Sequence, residues 1–230
     1  MRRRGRAGVA GMAAGMMLAA SLAGCAGPPA APVTPAPSGT AGKLLVAVGN
    51  SFVGGSPMDS GTARRWPGLI ATRLGMRLDV IAAGSSGYAD PGDAGLTYRD
   101  LVRKIPADAA VVVIMGSDDD APYPRDQIER DARLALNDAL ARAPHAQIIV
   151  TSTPWVEKDP DSGIENTRDA VRAAASELGL EYIDGLSTWL VTGPPGQIGA
   201  DGLHPTDLGH AELADALSAP IRAAAEHAKG

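Results

Sequence analysis

Near the end of the 230-residue chain, Asp201-Gly202-Leu203-His204-Pro205 sets a carboxylate and an imidazole with two residues between them. On a tight turn the carboxylate accepts a hydrogen bond from one ring nitrogen. That fixes the tautomer and leaves the other nitrogen free as a general base. Pro205 stiffens the turn and disfavours helix at His204, so a helix is expected to begin just beyond it. A hydroxyl is a poor nucleophile until such a base takes its proton. Ser51, in Gly49-Asn50-Ser51, is the candidate, and the three residues together predict a Ser-His-Asp relay. Taken singly, each signal also fits an ordinary turn.

Such a relay needs elements that bring residues 51 and 201–204 together. Apolar runs suited to buried strands recur at 44–48, 78–82, 109–115, 148–150 and 180–183. The third, Ala-Ala-Val-Val-Val-Ile-Met, is apolar on both faces, as a central parallel strand requires. Between the runs lie segments with helical spacing: Ile128, Ala132, Ala135, Ala139 and Leu140, then Ile164, Val171, Ala174, Ala175 and Leu178. A final helix is expected from Asp207 to about residue 225. Strands alternating with helices imply right-handed crossovers and an open parallel sheet covered on both sides. Ligands of such sheets bind outside the carboxyl ends of the strands, where strand order reverses. After the first strand stands Gly49-Asn50-Ser51, after the second Gly84-Ser85-Ser86-Gly87, and after the third Gly116-Ser117-Asp118-Asp119-Asp120. The chain has no Gly-x-Ser-x-Gly elbow and neither of the glycine-rich phosphate or dinucleotide motifs.

Together with the Asp201/His204 turn, these blocks resemble in kind and order those of the SGNH (GDSL-type) serine hydrolases, over most of the chain from Leu44 to about Leu217. The resemblance implies a three-layer α/β/α fold with a central, mostly parallel five-stranded sheet of flavodoxin-like type. It makes Ser51 the nucleophile and its backbone N–H one oxyanion donor, with the N–H of Gly84 a second. His204 becomes the base and then the acid, oriented by Asp201. No metal or cofactor is implied. Two positions depart from the family pattern. Asn50 stands where Asp is commoner, and Asp118 replaces the Asn whose side chain is the third oxyanion donor. An ionised Asp118 has no proton to donate and would repel the developing charge. The acid stays protonated, points away or weakens the site, or the block is used in another register.

The remaining composition narrows the classes. A single Cys excludes an intramolecular disulfide framework and every multi-Cys zinc site, and four scattered His form no His-x-x-x-His pair. Residues 25–230 carry 17 basic and 26 acidic groups, net −9, which argues against nucleic-acid binding. Three consecutive Asp side chains rarely converge on one ion, so residues 118–120 are expected to be solvated or to cap a loop rather than to hold a metal. Trp155, after the fourth strand, either walls the pocket or packs on the domain. His145, His210 and His227 are expected at the surface or at helix ends. The Gly- and Pro-rich residues 192–202 form either a flap beside the site or a plain loop.

The N-terminus reads as an address. Four Arg precede an apolar run of 16 residues, 7–22, too short for a spanning helix, which needs roughly 20. It closes on Leu22-Ala23-Gly24-Cys25, which resembles the lipobox of bacterial lipoproteins and implies acylation of Cys25. Residues 26–42 contain 5 Pro, 5 Ala and 3 Gly and cannot build a core. As polyproline II, at about 3.1 Å per residue, they would form a tether of roughly 50 Å. The organisation expected is a signal peptide at 1–24, a lipid-anchored tether at 25–42 and a hydrolase domain at 43–230, exported and held on the outer face of the cell membrane. The activity expected is hydrolysis of short acyl or acetyl esters, on envelope polysaccharide or glycolipid. The alternatives are a long-chain lipase, phospholipase or thioesterase, and a carbohydrate-binding lipoprotein weakened at Asp118.

Overall fold

The computed structural model describes residues 39–186, 188–191 and 193–228. The signal segment, Cys25 and tether residues 26–38 lie outside the described residues. Five strands, β1 (Leu44–Gly49), β2 (Arg77–Ala82), β3 (Ala109–Met115), β4 (Gln147–Thr151) and β5 (Glu181–Ile183), form one parallel sheet in the order β2-β1-β3-β4-β5. Each expected strand is present, within one residue of its expected ends. The helices are α1 (Ser51–Gly54), α2 (Trp66–Leu74), α3 (Tyr98–Val102), α4 (Arg125–Arg142), α5 (Ser162–Glu177) and α6 (Asp207–His227). Residues Asp118–Asp120 form a single 3₁₀ turn.

Alternation along the strands builds two cores. Val46, Val48, Val112, Ile114 and Val150 pack with α3, α4 and α5 on one face. Leu45, Ala47, Val111, Val113 and Ile149 pack with α2 and α6 on the other. β1 and β3 are buried along their whole length, which is why their sequences are apolar without a break. Side chains cap the starts of α5 and α6. Asp161 accepts from the N–H of Gly163 and Ile164 at α5, and Thr206 accepts from Leu208 N–H at α6, directly after Pro205.

Sequence spacing anticipates α4, α5 and α6 but not α1, α2 or α3. The first turn of α2 holds Pro67 and Gly68, and Gly68 packs so closely that a Cβ there would sit 2.2 Å from the Thr62 carbonyl oxygen. Its buried face, Trp66, Ile70, Ala71 and Leu74, has helical spacing, but Pro67 and Gly68 break the pattern at its start. At the other end of the sheet the chain enters the domain at Thr40, which is buried and donates to the Leu74 carbonyl. Lys43 Nζ donates to the carbonyls of Ala225 and Ala228, satisfying groups at the C-terminus of α6. The connections from β1 and β3 leave in opposite directions along the sheet, so the switch point lies between their carboxyl ends.

Candidate functional site

At the end of β1 the backbone must turn at once into α1. Gly49 permits this, since a Cβ there would sit 2.4 Å from Val53 Cγ2. Asn50 caps the turn, its Oδ1 accepting from Phe52 N–H at 3.1 Å. Ser51 is thereby held as the first residue of α1, facing the switch point.

The partner turn precedes α6 and packs on the same face of the sheet as α1, with Leu203 against the core that holds Phe52 and Val53. Gly202 adopts φ +74°, where glycine is favoured, and Gly199 N–H donates to the His204 carbonyl. Asp201 holds this turn with both oxygens. Oδ1 accepts from the N–H groups of Leu203 and His204 at 3.0 Å each, and Oδ2 lies 2.7 Å from His204 Nδ1. His204 Nε2 lies 2.9 Å from Ser51 Oγ. The backbone N–H of Leu203, followed by the His204 side chain, keeps the Asp201 carboxyl below the ordinary carboxylate range, against a smaller opposing effect of desolvation. An ionised Asp201 accepting at Nδ1 leaves Nε2 without a proton and ready to receive one from Ser51. The His204 ring rests near Phe52, with centroids 6.0 Å apart.

Gly84 lies two residues past Ala82, which pairs with Gly49 across β1 and β2. A Cβ on Gly84 would meet open space. Ser85 beyond it takes φ +56°, so the backbone turns sharply here, next to the nucleophile's strand.

Asp118 belongs to the site but does not stand alone. Asn50 Nδ2 lies 3.0 Å from Ser117 Oγ, 3.0 Å from Asp118 Oδ1 and 2.8 Å from Asp119 Oδ2, two protons serving three acceptors. Ser117 Oγ also lies 2.8 Å from the Ser86 carbonyl, tying the block after β3 to the loop after β2. Burial, then the charge of Asp119, pushes the Asp118 carboxyl up to about 6, while Asn50 and the His204 charge pull the other way.

Asp120 does a different job. It is fully buried, with Oδ2 accepting from Tyr88 N–H at 2.8 Å and Oδ1 from Ala89 and Asp90 N–H at 2.8 and 3.0 Å. It caps the loop after β2 from below, and Gly87 is needed because a Cβ there would sit 2.2 Å from Asp120 Oδ1. Burial outweighs the three donors and holds this carboxyl at about 6.

Of the other expectations, His145 and His227 are exposed, His227 at the end of α6. His210 stands at a helix end, as expected, but not at the surface. It is fully buried in the first turns of α6, its Nε2 3.7 Å from Asp59 Oδ2, and burial drops its imidazole to about 4. It lies on the same helix face as Leu213, Ala214 and Leu217, so the 3.6-residue period marks it as inward-facing. The Trp155 indole is partly buried with Nε1 shielded, as for a loop aromatic packed on the domain. The described part of 192–202 is pinned to α6: Thr206 bonds the carbonyls of Gly196 and Gln197, and the Gln197 side chain donates to Glu212. Sequence reasoning missed Arg65, which bonds both Asp59 and the Gly54 carbonyl at the end of α1. It also missed Met58, which packs against Gly199 and braces the loop carrying His204.

A parallel five-stranded sheet with serine, imidazole and carboxylate in hydrogen-bonding sequence at its switch point can transfer acyl groups through the serine oxygen. The class so defined is a hydrolase of α/β/α type. The family model of GDSL-like lipases and acylhydrolases matches residues 47–212, and the chain belongs to that family; it is a carboxylic ester hydrolase. It is 34% identical over 183 residues to the GDSL lipase Rv0518 of Mycobacterium tuberculosis, covering 76% of this chain and 79% of that one. Among solved structures, it resembles the aryl esterase of M. smegmatis, with a TM-score of 0.61 and 21% identity over 79% of this chain and 99% of that one. It also resembles Est24, a carbohydrate acetylesterase from Sinorhizobium meliloti, with a TM-score of 0.60 and 20% identity over 79% of this chain and 99% of that one.

Proposed function

We propose that the protein is an exported serine esterase acting on short acyl esters, acetyl above all, of envelope carbohydrate. Ser51 Oγ attacks the ester carbonyl while His204 Nε2 takes its proton, and the tetrahedral oxyanion is received by the N–H groups of Ser51 and Gly84. His204 returns the proton to the departing alcohol, leaving an acyl-Ser51. Water then attacks that ester, giving its proton to His204, and collapse restores Ser51 and releases the carboxylic acid. Asp201 stabilises the imidazolium in both halves.

The observation that carries this reading is the unbroken contact from Asp201 Oδ2 through His204 to Ser51 Oγ, at 2.7 and 2.9 Å. The short acyl group is supported by the likeness to an acetylesterase. The carbohydrate half draws on the likeness to a carbohydrate acetylesterase. The envelope setting draws on Cys25 as a lipid anchor, with the tether holding the domain off the bilayer. The 34% identical lipase favours a second reading, a longer acyl chain.

A fluorophosphonate should label one serine of the purified protein, and peptide mapping should find it at Ser51, with no label in Ser51→Ala. Rates on p-nitrophenyl acetate, butyrate and palmitate should fall with chain length. Full activity in Ser51→Ala ends the nucleophile assignment, and a rate rising towards palmitate ends the short-chain reading.

A further inference from the structure

The two ends of the sheet carry opposite charge. Segments 50–66, 83–98, 116–126, 152–162 and 184–207 are the loops after the five strands with the first residues of the helices that follow, and together they hold thirteen acidic and four basic residues. Segments 39–43, 72–77, 101–109, 141–147, 176–181 and 221–228 approach the opposite ends of the strands and hold seven basic and four acidic residues. The acidic excess of this domain is therefore not spread over its surface. It is gathered at the end that carries Ser51.

Several of these carboxylates stand against the reacting groups themselves. Asp118 and Asp119 share the amide of Asn50, whose neighbour is Ser51, and Asp201 bonds His204. Others, such as Asp93, Glu157 and Asp159, are exposed on the loops after β2 and β4. Arg65 at this end is already committed to Asp59 and the Gly54 carbonyl. Thirteen acidic against four basic residues leave this end strongly negative in net charge, and such an end over a low-dielectric sheet focuses its field outward, depleting anions and enriching cations locally.

We infer that the site selects its ester by charge: it takes neutral or cationic esters and discriminates against esters with an anionic group close to the scissile bond. The inference rests on the esterase reading above and narrows it. Acylated sugars and other neutral polyol esters fit. Phospholipids and acyl groups with a second carboxylate do not. The same field favours departure of the product, because the carboxylic acid released beside Asp118 and Asp119 ionises to an anion among carboxylates.

The experiment compares phenyl acetate, 4-acetoxybenzoate and 4-acetoxyphenyltrimethylammonium, each rate divided by that of its alkaline hydrolysis to remove leaving-group chemistry. At about 10 mM salt, where the Debye length is about 30 Å, kcat/KM for the cation should exceed that for the anion by about 10-fold to 100-fold. At about 0.5 M salt the two should converge, the cation falling, the anion rising and phenyl acetate unchanged. A triple variant, Asp93→Asn/Glu157→Gln/Asp159→Asn, should shrink the low-salt ratio at least twofold and leave phenyl acetate turnover as it was. Normalised rates that are equal for all three esters, or that move together with salt, overturn the charge selection while leaving the esterase reading intact. Failure to hydrolyse any of the three above the Ser51→Ala background overturns the esterase reading itself.

Discussion

Asp118→Asn tests the one group whose chemistry runs against its place. Asp118 Oδ1 already accepts from Asn50 Nδ2 at 3.0 Å, so a proton on this carboxyl belongs on Oδ2. In that form Oδ2 can donate to an oxyanion; ionised, it can only repel one. With the carboxyl at about 6, roughly 10% of it is protonated at pH 7 and roughly 1% at pH 8. Catalysis also needs His204 neutral, so the two requirements oppose each other as pH rises. The amide introduced by Asp118→Asn would keep the acceptor for Asn50 and turn the other atom into a permanent donor. The expected gain in kcat/KM on p-nitrophenyl acetate is about 10-fold at pH 7 and about 100-fold at pH 8, neither above the roughly 10² to 10³ that one oxyanion donor is worth. At pH 5 the two proteins should differ little.

The assay is a pH profile of both proteins from 5 to 9, with urea midpoints at each pH as a check on the fold. The folded-state value of Asp118 lies above that of the unfolded chain, so the native protein binds more protons between about pH 4 and 6, and this group makes the wild type lose stability as pH rises through that window. Asp118→Asn removes that loss and should have the higher midpoint above pH 6. If the midpoint behaves this way while the rate is unchanged or lower at every pH, then Asp118 is buried as described but does not serve the oxyanion, and the reasoning about its proton is wrong.

Asp201→Asn should keep the fold and lower kcat by about 10⁴-fold, because an amide no longer specifies which imidazole nitrogen carries the proton; circular dichroism and burst kinetics separate the two effects. Asp120→Ala leaves the buried N–H of Tyr88 and the partly buried N–H groups of Ala89 and Asp90 without their acceptor, so unfolding free energy should drop by about 3 kcal/mol, with Asp120→Asn milder. An Asp120→Ala protein as stable as wild type in urea refutes the capping role. Cys25→Ser should abolish incorporation of labelled fatty acid in cells and leave the chain unprocessed or released; undiminished labelling removes the lipid anchor from the proposal.

The sheet was legible because parallel strands buried on both faces need uninterrupted apolar runs, and β3 could hardly be read otherwise. The helices α4 and α5 were legible from their apolar periodicity, and α6 from the start that Pro205 sets. What escaped was whatever depends on close approach rather than on pattern. In α2, Pro67 and Gly68 sit where a helix packs on residue 62, and α3 has only five residues. The Asp201/His204 turn and Ser51 were visible as separate fragments because each sits directly after a strand or before a helix, where chemistry is placed in this type of sheet. Their distances were not, since 153 residues separate His204 from Ser51 and only the assembled sheet joins them.

The two departures from the family pattern, Asn50 and Asp118, look independent in the sequence because they stand 68 positions apart. In the folded chain they are one interaction, in which an amide beside the nucleophile donates to a carboxylate in the third block. Relative to the family pattern the donor and the acid have changed places. That exchange explains how Asp118 and Asp119 can sit side by side at the end of β3 without an Arg or Lys between them: the Asn50 amide supplies the positive end of a dipole to both. Burial and the Asp119 charge outweigh that dipole, so Asp118 holds its proton up to about 6, well above the usual acid range. The chemical consequence of Asn50 therefore passes through residue 118, and with it through the pH at which Ser51 can work.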